Sequence, residues 1–167
     1  MKIEGSQVLV TGGAGFVGSH VADQLLAKGA KKVIAIDNLV RGSLTNIEAA
    51  KKTGRFEMVE GDIRDRALVS KLTAGCDYVF HQAALRITAC AASPREGHEV
   101  MMDGTFNVLE AAVEHKVKKI VAASSASVYG EPDKFPIEET DAYNNRTLYG
   151  AAKIALEHYF RSFNEMY

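Results

Sequence analysis

Short apolar segments alternate with longer segments of helical periodicity along most of the chain. The short segments predict five buried strands: QVLVT (7–11), KVIAID (32–37), RFEMVEGD (55–62), DYVFHQAA (77–84) and KKIVAASS (118–125). Helical periodicity predicts helices at about 15–28, 44–52, 65–73 and 95–115, and a last helix that begins near Tyr149. Because alternating strands and helices need crossover connections, the pattern predicts an α/β fold, a doubly wound parallel sheet with helices on both faces. Ligands of such sheets bind beside the carboxyl ends of the strands.

Length and composition restrict the class of protein. The 167 residues predict one domain over 1–167, with a polar surface loop at 130–147. The net charge of −1 and the lack of a basic block give no sign of binding to nucleic acid or an acidic membrane surface. No apolar run approaches the roughly 20 residues of a membrane-spanning helix. The N-terminus lacks the apolar stretch of a signal peptide, so we expect a cytoplasmic protein.

The cysteines and histidines show no metal-binding pattern. Cys76 and Cys90 form no CxxC pair, and the five histidines are scattered along the chain. We therefore expect no metal site and no disulfide, and we interpret both cysteines as small buried apolar residues.

A glycine-rich loop follows the first predicted strand. In TGGAGFVGSH (11–20), Gly12, Gly15 and Gly18 lie between a buried strand and an apolar helix. That position suits a tight turn, with a pyrophosphate close to the backbone at the helix N-terminus. Asp37 ends the second strand, nineteen residues after Gly18. Its carboxylate can accept hydrogen bonds from both ribose hydroxyls and would repel a 2′-phosphate, which favours NAD over NADP; the alternative is that Asp37 only forms a turn.

Three residues near the C-terminus suggest acid–base chemistry. Ser125 follows the fifth predicted strand, and Tyr149 and Lys153 are four residues apart on a predicted helix, where their side chains are neighbours. A phenol is a poor base at neutral pH, but an adjacent ammonium group favours the phenolate. A hydroxyl such as that of Ser125 can then bridge a substrate oxygen and the phenolate. A chance Tyr–Lys pair is the alternative for an isolated motif.

Together these motifs resemble those of the extended short-chain dehydrogenases/reductases, within the nucleotide-sugar epimerase/dehydratase family. GDIRD (61–65) and HQAAL (81–85) add to the resemblance, which runs from Val8 to the end of the chain. It implies a Rossmann-type fold with NAD as cofactor. The implied cofactor-binding residues are Gly12, Gly15, Phe16, Val17, Gly18, Asp37, Asn38, Asp62, Ile63, Ala83, Ala84, Tyr149 and Lys153. Ala83 and Ala84 are also small enough to allow close backbone approach to a ligand, although simple packing would use them equally.

The resemblance also implies a reaction. Tyr149 would act as the base on a sugar hydroxyl, Lys153 would hold the nicotinamide ribose, and Ser125 would assist proton transfer. Family dehydratases and decarboxylases carry carboxyl residues where this chain has Ala126 and Ser127. The resemblance therefore favours 4-epimerisation of a UDP-hexose through a transient 4-keto sugar. A dehydratase or decarboxylase, or a non-catalytic dinucleotide-binding or sensing module, remains the alternative.

Some features depart from the family pattern. Met101 replaces a usual Asn, and RITACAASPREG (86–97) is unusually small and apolar for the family's substrate-side loop. Family members are about twice as long, so the chain resembles an N-terminal half that lacks the C-terminal substrate domain. We expect little activity from it alone.

The resemblance implies a homodimer built from helices near 98–115 and 149–167. The first of these helices carries more apolar residues than one core face requires: Val100, Met101, Phe106, Val108 and Leu109. The alternative is that all of them pack within the chain.

Overall fold

The computed structural model describes residues 1–132 and 134–167. Five parallel strands form one sheet: β1 (Gln7–Thr11), β2 (Lys32–Asp37), β3 (Phe56–Glu60), β4 (Tyr78–His81) and β5 (Lys119–Ala122). The strand order is β3-β2-β1-β4-β5, so the chain proceeds outward from β1 in one direction and from β4 in the other. This order confirms the predicted doubly wound α/β fold, and it places a topological switch point between β1 and β4.

Seven α-helices occur in the described residues. They are α1 (Phe16–Ala27), α2 (Glu48–Lys52), α3 (Arg66–Thr73), α4 (Ile87–Ala92), α5 (Pro94–His98), α6 (Gly104–Glu114) and α7 (Leu148–Met166). A 3₁₀ turn at Leu44–Ile47 precedes α2, and another lies at Ala126–Val128. A π-helical turn at Glu99–Asp103 joins α5 to α6. None of these helices is long and apolar enough to cross a membrane.

The chain divides into two compact units. The first comprises Met1–Ala83 with Phe106–Ala122 and contains the whole sheet. The second comprises Ala84–Thr105 with Ala123–Tyr167 and contains α4, α5, the π-helical turn and α7. The expectation of one domain over 1–167 stays a prediction.

The core of the first unit lies between the sheet and α1. Val8 and Val10 of β1 are fully buried and pack with Leu25 and Leu26 of α1. Because β1 and β2 have neighbours on both sides and a helix above them, nearly all of their residues are buried. Their continuous apolar sequences follow from this burial.

Several predicted bounds were wrong. The third, fourth and fifth strands end before the predicted ranges 55–62, 77–84 and 118–125 do, because the chain leaves the sheet there to form the loops beside it.

Residues 86–97, expected as a loop, form α4 and most of α5 instead. The sequence ITACAA of α4 lacks glycine and proline, and Pro94 stands in the first turn of α5, where its missing N–H costs no hydrogen bond.

The second unit has its own small core. Cys90, Met101 and Leu156 are buried together, and Tyr149 is one of the partly buried residues packed against them. Cys76, in the first unit, is also buried, and both cysteines are free thiols, so their interpretation as buried residues is confirmed. Met101 therefore serves as a core residue, in a position that a polar Asn could occupy only with hydrogen-bond partners.

Candidate functional site

The glycine loop between β1 and α1 needs its glycines for steric reasons. Gly12 has φ +66°, and a Cβ there would lie 2.8 Å from the backbone nitrogen of Ala83. A Cβ on Gly18 would overlap the carbonyl oxygen of Gly12, so the first turn of α1 packs directly on the loop. Gly15 is less constrained, because its Cβ would stand 3.1 Å from the same oxygen. The loop is thus a close-packed turn that brings backbone to the carboxyl end of β1.

The N-terminus of α1 is suited to an anion. Gly15 is its N-cap residue and supplies no side-chain cap, and the first turn carries no acidic residue. Phe16 and Val17 follow with 78% and 56% of their surfaces exposed, so the first turn is open to solvent. The leading N–H groups of a helix and its dipole attract phosphate at such a position.

Asp37, at the end of β2, holds the loop in place. It is buried, its Oδ2 accepts a hydrogen bond from the Ala14 N–H at 3.0 Å, and its Oδ1 accepts one from the Leu39 N–H at 2.9 Å. Each carboxylate oxygen keeps a second lone pair for another donor. The turn-forming alternative and the ribose-binding prediction are therefore compatible in one residue.

Asn38 and Asp62 lie side by side beyond β2 and β3. The Asn38 amide donates to Asp62 Oδ2 at 3.1 Å, and the Arg64 guanidinium donates to both carboxylate oxygens, at 3.0 and 2.8 Å. These hydrogen bonds, chiefly from Arg64, lower the pKa of Asp62 to about 2. The side chain of neighbouring Ile63 is buried, and its carbonyl accepts from Asn107 at 3.0 Å. A ligand could therefore contact Ile63 only through backbone atoms, because its side chain is buried.

Two residues that the sequence analysis missed fix the loop after β4. The buried Thr11 hydroxyl lies 2.7 Å from His81 Nδ1 and accepts from the N–H groups of Gln82 and Ala83, at 3.2 and 3.1 Å. Thr11 thereby holds Ala83 close to Gly12. Ala84, the first residue of the second unit, is exposed.

Ser125, in the second unit, caps the 3₁₀ turn that follows it. Its hydroxyl oxygen accepts from the Ser127 N–H, and its O–H donates to the Ser127 hydroxyl oxygen, both at 3.1 Å. The two hydroxyls form a short chain, so Ser127 is a second candidate for proton relay that the sequence analysis did not assign.

The Tyr149–Lys153 pair lies in the first two turns of α7. Thr147 is the N-cap residue and accepts from the Gly150 N–H at 3.0 Å. Lys153 is only 5% exposed; its Nζ donates to the Ala123 carbonyl at 2.6 Å and lies 5.7 Å from the centre of the Tyr149 ring. Desolvation by burial lowers the pKa of Lys153. The predicted pair is therefore adjacent, with a buried ammonium group that bonds a backbone carbonyl.

Glu157, one turn beyond Lys153, links α7 to the polar loop. It accepts from the Ser124 hydroxyl and from the Tyr143 hydroxyl, the latter at 2.5 Å. The bond to the Glu157 carboxylate raises the pKa of Tyr143. The four-residue spacing from Tyr149 through Lys153 to Glu157 places all three on one helix face, and it could have revealed Glu157 from the sequence.

No cluster of His, Cys, Asp and Glu that could hold a metal ion occurs within 1–132 and 134–167.

The parallel sheet, its glycine loop and the acid that ends β2 define the class of nucleotide-binding α/β proteins. Comparisons with known proteins are more specific. A model of the NAD dependent epimerase/dehydratase family matches residues 8–167. The UDP-glucose 4-epimerase of Halalkalibacterium halodurans is 39% identical over 163 residues, which cover 96% of this chain and 47% of that protein.

Solved structures agree with this match. The UDP-N-acetylglucosamine 4-epimerase from Methanobrevibacter ruminantium M1, in complex with UDP-N-acetylmuramic acid, gives a TM-score of 0.91 at 33% identity and covers 98% of this chain and 52% of that one. The UDP-glucose 4-epimerase from Bifidobacterium longum, in complex with NAD⁺ and UDP, gives a TM-score of 0.87 at 35% identity. This match covers 96% of this chain and 49% of that one. The chain belongs to the NAD dependent epimerase/dehydratase family, and it spans about half the length of the relatives that it matches.

Proposed function

We propose that this chain provides the NAD-binding and acid–base residues of a nucleotide-sugar 4-epimerase that acts on a UDP-hexose through a transient 4-keto sugar. The observation that carries the proposal is the buried Lys153 beside Tyr149, on a capped helix. The relatives add support, because those reported above are UDP-sugar 4-epimerases.

The residues of the first unit fit NAD. Gly12 and Gly18 allow backbone to approach a pyrophosphate, the uncapped N-terminus of α1 offers N–H donors, and Asp37 keeps acceptor capacity for ribose hydroxyls. On the same proposal Phe16, Val17, Asn38, Asp62, Ile63, Ala83 and Ala84 line the cofactor. When bound, NAD supplies a reversible hydride acceptor for the sugar C4.

The residues of the second unit would handle the proton. Tyr149 would take the proton of the sugar 4-hydroxyl and return it after the ketone has been reduced on its other face. The Lys153 ammonium group lies 5.7 Å from the centre of the Tyr149 ring, and its bond to the Ala123 carbonyl fixes its position. The Ser125 hydroxyl, already paired with Ser127, would relay the proton between the sugar and Tyr149.

Two neighbouring positions favour epimerisation over elimination or decarboxylation. Ala126 has no acidic group, and the Ser127 hydroxyl accepts from Ser125. A dehydratase needs an acid to expel a hydroxyl group, and these two positions supply none.

The test uses this chain joined to the remaining half of the H. halodurans relative, assayed with UDP-galactose and UDP-glucose. We expect interconversion by the joined protein and little by the 167-residue chain, because much of the substrate positioning would come from the added half. Tyr149→Phe should lower kcat by about 10²–10⁴-fold and leave NAD binding intact, since it removes only the base. Tyr167→Phe, at an exposed position, is the matched control.

Turnover that is undiminished in Tyr149→Phe would contradict the catalytic assignment. NAD binding by a folded joined protein that never turns over a UDP-sugar would favour the non-catalytic dinucleotide-binding module instead.

We also propose that the protein is a cytoplasmic homodimer. The support is the family resemblance and the set of exposed apolar residues on α7, Leu148, Tyr159 and Met166. The surplus of apolar residues predicted for 98–115 is weaker support. Val100, Met101, Val108 and Leu109 are buried within the chain, and only Phe106 is exposed.

A further inference from the structure

Glu157, on α7 in the second unit, accepts two hydrogen bonds that the proposed proton transfer does not use. Its Oε1 accepts from the Ser124 hydroxyl, and its Oε2 accepts from the Tyr143 hydroxyl at 2.5 Å. The side chain of Glu157 is half-buried, and an ionised carboxylate can only accept, so both hydroxyls turn their hydrogens towards it. Two partners on its two oxygens give the carboxylate a single orientation.

The bond to Ser124 lies next to a residue of the proposed reaction. The backbone of Ser125 is extended, with φ −158° and ψ 145°. Successive side chains of extended backbone point to opposite sides, so a bond that holds the Ser124 side chain also fixes the direction of the Ser125 hydroxyl. Glu157 therefore acts on Ser125 through its neighbour in the chain.

Two further contacts hold the same segment against α7. Lys153 Nζ donates to the Ala123 carbonyl at 2.6 Å. A Cβ on Gly150 would lie 2.7 Å from the Ser127 carbonyl oxygen, so the first turn of α7 packs directly on the 3₁₀ turn. Because Lys153 and Glu157 are four residues apart, they lie on one face of the helix and hold two successive residues of the chain.

We propose that Glu157 is a positioning residue of the epimerase reaction: by binding Ser124, it sets the direction of the Ser125 hydroxyl relative to the Tyr149 phenol. The inference rests on the proposed function, in which Ser125 and Tyr149 carry the proton. A hydroxyl that turns away cannot bridge the sugar and the phenol, and small losses of alignment cost large factors in rate. On this proposal Glu157 touches neither the sugar nor the cofactor, so its loss should lower kcat and leave KM and NAD affinity nearly unchanged.

An electrostatic role is the alternative for Glu157. Burial lowers the pKa of Lys153, and the neighbouring Cys90 and Glu157 oppose that shift. An electrostatic role needs the charge, whereas a positioning role needs the length of the side chain and its polar atoms. Glu157→Gln keeps the length, and a hydroxyl that meets its amide nitrogen can accept instead of donate. Glu157→Asp keeps the charge but is one CH₂ group shorter.

The experiment compares Glu157→Gln, Glu157→Asp and Ser124→Ala in the joined protein with UDP-galactose as substrate. We expect kcat within about 3-fold of the wild-type value for Glu157→Gln and about 10–100-fold lower for the other two, because those two break the bond to Ser124. The double variant Ser124→Ala with Glu157→Asp should be no slower than either single variant, since both remove the same bond. Glu165→Asp, an equal shortening at an exposed position of α7, is the control and should leave kcat unchanged.

Hydrogen exchange of the 167-residue chain reads the position of the segment without any turnover. The N–H groups of Ser127 and Val128 donate to the Ser125 hydroxyl oxygen and to the Ser125 carbonyl, respectively. Their exchange should accelerate about 10-fold in Glu157→Asp and Ser124→Ala, because these variants release the segment, and it should stay unchanged in Glu157→Gln.

All assays run well below the thermal midpoint of each variant, so that lost stability does not count as lost kcat. The positioning role is overturned if Glu157→Asp keeps the wild-type kcat while Glu157→Gln loses it, or if kcat and exchange are unchanged in all three variants. A joined wild-type protein without turnover would instead contradict the proposed epimerase function. The exchange comparison would then still decide whether Glu157 holds this segment.

Discussion

Asp37 performs a structural task that the ribose-binding prediction did not include. Its two oxygens accept the N–H groups of Ala14 and Leu39, which tie the glycine loop and the following turn to the end of β2. Leu39 has φ +58°, an uncommon value for a residue with a branched side chain. The carboxylate helps to hold this turn, so a substitution at Asp37 should alter both stability and cofactor binding.

We expect Asp37→Ala to weaken NAD binding about 10-fold or more, because it removes a charged hydrogen-bond acceptor. Calorimetry with NAD and NADP separates the two tasks. If Asp37 binds the ribose, the preference for NAD will shrink as well; if it only holds the loop, both affinities will fall by the same factor. Equal affinity of the unmutated chain for both cofactors would rule out the ribose assignment.

The Asp62–Arg64 pair gives a pH-dependent contribution to stability. The pKa of Asp62 falls from 3.8 in the unfolded chain to about 2 in the folded one, so the folded state favours the charged form. Its contribution is complete above pH 3.8 and is lost as the pH falls from 3.8 through about 2. After allowance for solvent screening it is about 1 kcal/mol.

Urea unfolding of the wild type and of Asp62→Asn measures this contribution. The difference in free energy of unfolding should be about 1 kcal/mol at neutral pH and should shrink towards pH 2. A difference that stays constant over that range would show that the carboxylate charge does not matter. Arg64→Gln should reproduce the effect, because it removes the main donor.

At the scale of elements, the β1–loop–α1 segment behaves as one packed unit. Gly18→Ala should destabilise the fold by about 1–3 kcal/mol or more and abolish NAD binding, because its methyl group meets backbone that cannot move aside. Gly15→Ala meets the same carbonyl at 3.1 Å, and we expect a smaller loss. Thermal unfolding and NAD titration of both variants provide the comparison. Equal effects at the two positions would contradict this packing account.

The bounds of a strand could be predicted where its apolar sequence matches its burial in the structure. The bounds of β1 and β2 were predicted to the residue, because both are continuous apolar runs buried on both faces. The π-helical turn at Glu99–Asp103 was not, since an i→i+5 turn depends on tertiary packing rather than on local pattern. The glycine loop and the Tyr149–Lys153 pair are local motifs, so their positions could be predicted from the sequence, while their roles stay predictions. The Thr11–His81 contact joins residues 70 apart, and no local signal marks it.

At the scale of the whole molecule, the exposed apolar residues of α7 lead to the dimer prediction. We expect sedimentation at tens of micromolar to show a dimer. The double substitution Tyr159→Lys and Met166→Lys should shift it towards monomer, because charges would be buried in the interface. Leu44→Lys, outside α7, should leave the association unchanged. A monomer at that concentration for the unmutated chain would count against the prediction.

Hydrogen bonds hold both ends of the polar loop between Gly130 and Thr147. Asn144 donates from its N–H to the Val128 carbonyl at 3.1 Å and from its amide to the Glu131 carbonyl at 2.9 Å, and Tyr143 is held by Glu157. Exposed loops of this kind are where proteases cut first, and Lys134 offers trypsin a site within it. A single cut there would break the chain but not these bonds. The fragment carrying Ser125 and the fragment carrying Tyr149 would then stay joined without a peptide bond between them.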